Sequence, residues 1–120
     1  MALVNKVDKR VKVPVTEVIK YQILTHCFFN NIQISNSDLK CLTQLARDGE
    51  KELTLFCKEI AVEDIFKSPQ SARNAITKAA KKNLITKKGK NKKTISISKK
   101  MNIQTDGTIL LDYKILGYES

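Results

Sequence analysis

Apolar positions along this chain recur at two periods, and the period changes several times. In residues 16–30, Ile19, Ile23 and Cys27 fall on one helical line and Leu24 and Phe28 on the next. The spacing predicts a helix starting at Glu17 with Thr16 as its cap, although the same stretch is rich in β-formers. Phe28 and Phe29 are expected either to fill the core or to make a dimer contact. Asn30 and Asn31 then read as a turn, and Ile32 and Ile34 flank Gln33 as in a short strand. Leu39, Leu42, Leu45 and Ala46 predict a helix over 37–47, with Ser35, Asn36 and Ser37 as candidate caps and Asp48-Gly49 as the stop. Leu53, Phe56, Cys57 and Ile60 mark another helix over 51–60, and Val62, Ile65 and Phe66 carry the apolar content onward.

The stretch 65–85, IFKSPQSARNAITKAAKKNLI, organises the rest. Ser68 is placed to cap a helix, and Pro69 suits its first turn, where no N–H is needed. Ala72, Ala75, Ile76, Ala79 and Ala80 make one small-residue apolar face, and Arg73, Asn74, Thr77, Lys78, Lys81 and Lys82 cover much of the remainder. Asn83 can end this helix in a left-handed conformation. Residues 84–88 then read as a strand, 89–92 as a turn, and 93–98 as a second strand. In that strand Ile95 and Ile97 point one way and Thr94, Ser96 and Ser98 the other. The ends are looser. Residues 1–13 are basic and lack a helical period, which predicts a flexible arm leading into an edge strand or extended segment, with Lys6, Lys9, Arg10 and Lys12 able to follow a phosphate backbone. A turn at 105–107 precedes an apolar, β-rich tail over 108–116 that is expected to pack on 11–29 or pair with another subunit.

Charge changes this picture more than length does. The formal net charge is +10. Residues 1–60 hold nine Lys/Arg and seven Asp/Glu, whereas twelve Lys/Arg and no acid lie between residues 64 and 106. Such polarity favours a polyanion partner, although an acidic membrane surface or an acidic protein could use the same field. A hairpin turn with lysines on both sides crowds like charges and makes most sense beside phosphates.

Candidate chemistry is sparse. Cys27, Cys41 and Cys57 are odd in number and widely spaced, which suggests reduced thiols on apolar faces rather than a disulfide framework. With His26 the single histidine, no metal-ligand cluster is expected, and His26 itself reads as a surface or packing residue. No glycine-rich phosphate loop, nucleophile elbow or paired-carboxylate motif is present, so neither an enzyme nor a cofactor is expected. No apolar run approaches the roughly 20 residues of a membrane span, and the N-terminus lacks the pattern of a secretory signal.

The order helix, helix, turn, basic helix, basic hairpin resembles the winged helix-turn-helix family of DNA-binding domains over roughly residues 35–98. The run SPQSARNAITKAAKKNLITKK, with Gly89 and the lysine-rich tip as the wing, carries the likeness. Asn83 stands where many such regulators have glycine. The resemblance implies that the third helix enters the major groove and that the wing touches backbone or minor groove. Ser68, Gln70, Ser71, Arg73, Asn74, Thr77, Lys78 and Lys81 would then lie on or near the reading helix, and Lys87, Lys88, Lys90, Lys92 and Lys93 would be wing contacts. The short chain and lysine-rich tip also resemble small phage-encoded proteins.

The expectation is an α+β winged helix-turn-helix fold with added N- and C-terminal segments. A basic arm covers 1–15, the winged-helix domain with its leading segment 16–98, and a β-rich extension 99–120. Its expected function is to bind double-stranded DNA as a cytoplasmic transcriptional regulator, with Gln70, Arg73 and Asn74 suited to reading base edges. The alternatives are a structural or protein-interaction module, such as one with viral structural partners in a phage virion, and an RNA-binding protein. A homodimer is expected through residues 21–29 or 108–116, because one such module reads only a short site.

Overall fold

The computed structural model describes residues 2–6, 13–105 and 114–118. Four helices and an open three-stranded antiparallel sheet form an α+β domain, and two flanking strands pair with each other. Strand β1 (Ala2–Lys6) precedes helix α1 (Val15–Phe29), then α2 (Asn36–Asp48), β2 (Lys51–Glu52), α3 (Leu53–Val62), α4 (Pro69–Lys81), β3 (Ile85–Lys88), β4 (Thr94–Ile97) and β5 (Lys114–Tyr118).

Helix α1 begins two residues before its expected start. Pro14 occupies the cap position without a side-chain hydrogen bond, so Thr16 is not the cap. Pro14 is extended there, with φ −61° and ψ 156°, and its carbonyl accepts from Glu17 N and Val18 N, while its missing N–H is one the helix could not use. The stripe Ile19, Ile23 and Cys27 is buried as its spacing predicts. Asn31 then takes a positive φ of 56°, and residues 32–34 form no strand. The Gln33 carbonyl accepts instead from Lys82 Nζ at 2.9 Å, while Ile32 and Ile34 rest half-buried against the core.

In α2, Ser35 is the cap, its Oγ accepting from Asp38 N at 3.1 Å, and Gly49 ends the helix with φ 82°. The next helix starts later than expected. Lys51 and Glu52 are the strand β2, pairing antiparallel with Ile95 and Thr94 of β4. Glu52 leaves that strand and caps α3, its carboxylate oxygens accepting from Thr54 N and Leu55 N. Two charged residues carry no β periodicity, and only the distant β4 makes them a strand.

Helix α4 follows its sequence closely. Ser68 Oγ accepts from Ser71 N at 3.1 Å, Pro69 opens the first turn, and Asn83 takes φ 61° beyond the last. Ala72, Ile76 and Ala79 are buried and Ala75 and Ala80 half-buried, so small side chains let α4 lie close to α3. The sheet order is β2-β4-β3, with Ile85 opposite Ile97 and Lys88 opposite Thr94. Its inner residues Ile85 and Ile95, with Leu84 just before β3, join Leu42, Leu45, Phe56 and Ile60 in one core.

The cysteines and the aromatic pair divide. Cys27, Cys41 and Cys57 are buried, as their apolar faces predict. Phe28 and Phe29 are not in the core: they are 80% and 78% exposed, because α1 rotates the line after Cys27 outward. At the ends, residues 2–6 are not a free arm but a strand paired with β5, with Val4 opposite Leu116 and Asn5 opposite Ile115. Residues 114–116 of the apolar tail thus pair with β1. Lys9, Arg10 and Lys12, the turn at 106–107 and tail residues 108–113 lie outside the described residues.

Candidate nucleic-acid interface

The packing of α4 separates its polar residues into two groups. Gln70, Asn74, Thr77, Lys78 and Lys81 are exposed, and their spacing puts them on one continuous line along the helix. Ser68, Ser71 and Arg73 are half-buried and engaged inside the domain. Ser68 and Ser71 share the cap, with their hydroxyls 3.1 Å apart. Arg73 Nη2 donates to Thr54 Oγ1 of α3 at 3.0 Å, which ties the two helices together across their N-terminal turns. The expected role of Arg73 as a base reader therefore competes with an internal anchor. No local pattern marks Thr54 as its partner, nineteen residues away.

Within the exposed line, Gln70 Nε2 donates to Asn74 Oδ1 at 3.0 Å. One turn of helix separates them, so the pair presents an amide carbonyl and an amide N–H together, the set that reads an adenine edge. Thr77 Oγ1 donates back to the Arg73 carbonyl at 3.0 Å.

The hairpin between β3 and β4 carries the second group. Gly89 adopts φ 87° and ψ −178°, a conformation open essentially to glycine alone. A Cβ there would also meet Thr94 Oγ1 at 3.2 Å. Asn91 and Lys92 follow with φ 61° and 54°, so the turn is tight. Lys90, Lys92 and Lys93 are exposed at this tip, whereas Lys87 is half-buried in β3.

The acid-free character of this stretch holds along the sequence but not in space. Pairing of β2 with β4 brings two acids beside the turn end of the hairpin, with Glu52 opposite Thr94. Lys88 forms an ion pair with Glu50. The Glu52 carboxyl is held below its ordinary value of 4.5 chiefly by the Leu55 and Thr54 backbone N–H donors, with the Lys93 charge a smaller cause. The free positive charge thus concentrates at the tip, on Lys90 and Lys92 above all.

The three thiols are free and buried. Burial pushes Cys41 up to about 12, with Asp38 and Cys57 adding to it, and burial likewise raises Cys27 and Cys57. Among the described residues no group of His, Cys, Asp and Glu could hold a metal ion, and no helix is long and apolar enough to cross a membrane.

These elements define a small α+β domain whose helices and three-stranded sheet are consistent with a helix-turn-helix-like fold. Comparison with protein-family models, curated proteins and solved structures returned no match to the chain.

Proposed function

We propose that this chain is a winged helix-turn-helix protein that binds double-stranded DNA, performs no chemistry on it, and acts in transcriptional regulation. The observation that carries this reading is the exposed line Gln70, Asn74, Thr77, Lys78 and Lys81 on α4, set on the same domain as a hairpin tip whose lysines face outward. An α-helix of this width enters a major groove, and lysines at its end and on a neighbouring turn reach the flanking phosphates. Phosphate contacts would supply affinity and salt dependence, and the Gln70–Asn74 amide pair would supply base discrimination.

The test is titration of fluorescent duplexes, first of mixed sequence and then of a site selected from a random pool. Binding should weaken linearly in log affinity with log salt. Asn74→Ala should cost about 1–3 kcal/mol on the selected site and leave mixed-sequence binding unchanged. No duplex binding at low salt, or a preference for RNA over the matching DNA, sinks the proposal.

The second reading, a structural or protein-interaction module of the kind found in a virus particle, is favoured by a different observation: the outward Phe28 and Phe29.

A further inference from the structure

We infer that Gln70 and Asn74 act as one unit that reads a single adenine, so that the target duplex carries an A·T pair where the first two turns of α4 meet the major groove. This rests on the DNA-binding reading and names the base that the site selects. Both residues are exposed and lie one turn apart on the same face of α4. Gln70 Nε2 donates to Asn74 Oδ1 at 3.0 Å. The two amides thus meet within less than the ~3.4 Å that separates successive bases of a strand. They address one base rather than two in succession.

The same hydrogen bond decides what the unit offers. An amide has one carbonyl and two N–H groups. Asn74 uses its carbonyl to accept from Gln70 and keeps its N–H groups, while Gln70 keeps its carbonyl. The set is therefore an acceptor from Gln70 beside a donor from Asn74. Adenine matches both, with its N6 amino group for the acceptor and N7 for the donor. Guanine presents acceptors at N7 and O6, so O6 would stand against the Gln70 carbonyl. Cytosine N4 serves the carbonyl but leaves the Asn74 N–H without an acceptor. Thymine O4 serves Asn74 but leaves the Gln70 carbonyl without a donor. A polar group left unpaired against a base is costly, and that cost is the discrimination.

The neighbouring side chains fit the same assignment. An arginine is the usual reader of guanine, yet the single arginine of α4, Arg73, is tied to Thr54 Oγ1 at 3.0 Å. Lys78 and Lys81 continue the exposed line toward the helix C-terminus, and no acid lies between residues 64 and 106. Phosphates beside the adenine meet cations and no opposing charge from α4.

The experiment is titration of the full chain on its selected duplex, with each adenine replaced in turn by 7-deazaadenine, which lacks the N7 acceptor, or by unsubstituted purine, which lacks the N6 amino group. At one position both analogues should weaken binding by on the order of 10-fold, one hydrogen bond being lost and its partner left unpaired. Gln70→Ala and Asn74→Ala should each bind the natural and the analogue duplexes equally at that position. Both side chains are exposed, so neither melting temperature should fall, and mixed-sequence binding, which the lysines supply, should stay that of the parent. Duplex binding with no position sensitive to both analogues, or a sensitivity that survives in either variant, overturns the inference and leaves the DNA-binding reading standing. A chain that binds no duplex at low salt overturns both.

Discussion

Arg73 and Asn74 are chain neighbours with different engagements. The helical step of about 100° turns Arg73 toward Thr54 on α3 and leaves Asn74 on the exposed line, so adjacent polar residues face the interior and the solvent separately. In α2, Cys41 is buried beside Leu42. Its thiol is neutral across the physiological range because burial pushes it up to about 12. Thiol reagents should therefore modify it only as fast as the fold opens, and Cys41→Ser should cost about 1–3 kcal/mol in chemical denaturation through a buried hydroxyl. Rapid labelling of the native chain would contradict the packing. Glu52 makes a pH-dependent contribution of opposite character. Its folded-state carboxyl titrates below its unfolded value of 4.5 because the ionised form caps α3. The stability it adds is present above that unfolded value and vanishes as pH falls through the depressed folded one. In melts from pH 7 to pH 3, the parent should exceed Glu52→Gln at neutral pH, and the gap should close below about pH 4.5. A gap constant over the whole range would mean that the capping charge adds nothing.

At the level of the element, the hairpin shows how pairing redistributes charge. Strand β2 is two residues long, yet it places Glu50 and Glu52 beside the turn end of the hairpin, where Glu50 pairs with Lys88. Lys88 then begins from an ion pair, whereas Lys90, Lys92 and Lys93 face outward. Replacing those three with glutamine should flatten the salt slope of duplex binding by about 0.9 for each phosphate that a lysine neutralises. Lys88→Gln should change the slope least, and Glu50→Gln should steepen it by releasing Lys88 to phosphate. An unchanged slope in the triple variant, with duplex binding retained, rejects the hairpin as a phosphate-binding element. Much of this element was legible. Gly89 stops one strand, Ile95 and Ile97 alternate in the next, and Ser68-Pro69 and Asn83 bound the helix before it. Each of these signals comes from the residue's own backbone preference, so it needs no partner to be read. The strand β2 was illegible for the opposite reason: Lys51 and Glu52 have no preference that local context reveals.

Across the whole molecule, the longest-range event is the pairing of β1 with β5, from opposite ends of the chain. Deleting residues 1–6 should expose the backbone amides of residues 114–118 to rapid hydrogen exchange, because their ladder partner is gone. Protection that survives the deletion would assign those amides to another partner. Sequence alone determined where most helices run, the buried stripes of α1 to α4, the inward cysteines and the basic hairpin. Helical spacing and turn chemistry are local properties, and they survive without knowledge of neighbours. It also marked the residues of the exposed α4 line, though not which of them stay free. Tertiary structure alone decided that Arg73 is anchored to α3, that Glu50 meets Lys88, that residues 32–34 form no strand, and that Phe28 and Phe29 face outward. Each depends on which distant surface arrives opposite a residue, and a periodic apolar pattern states that a face is buried without stating what covers it.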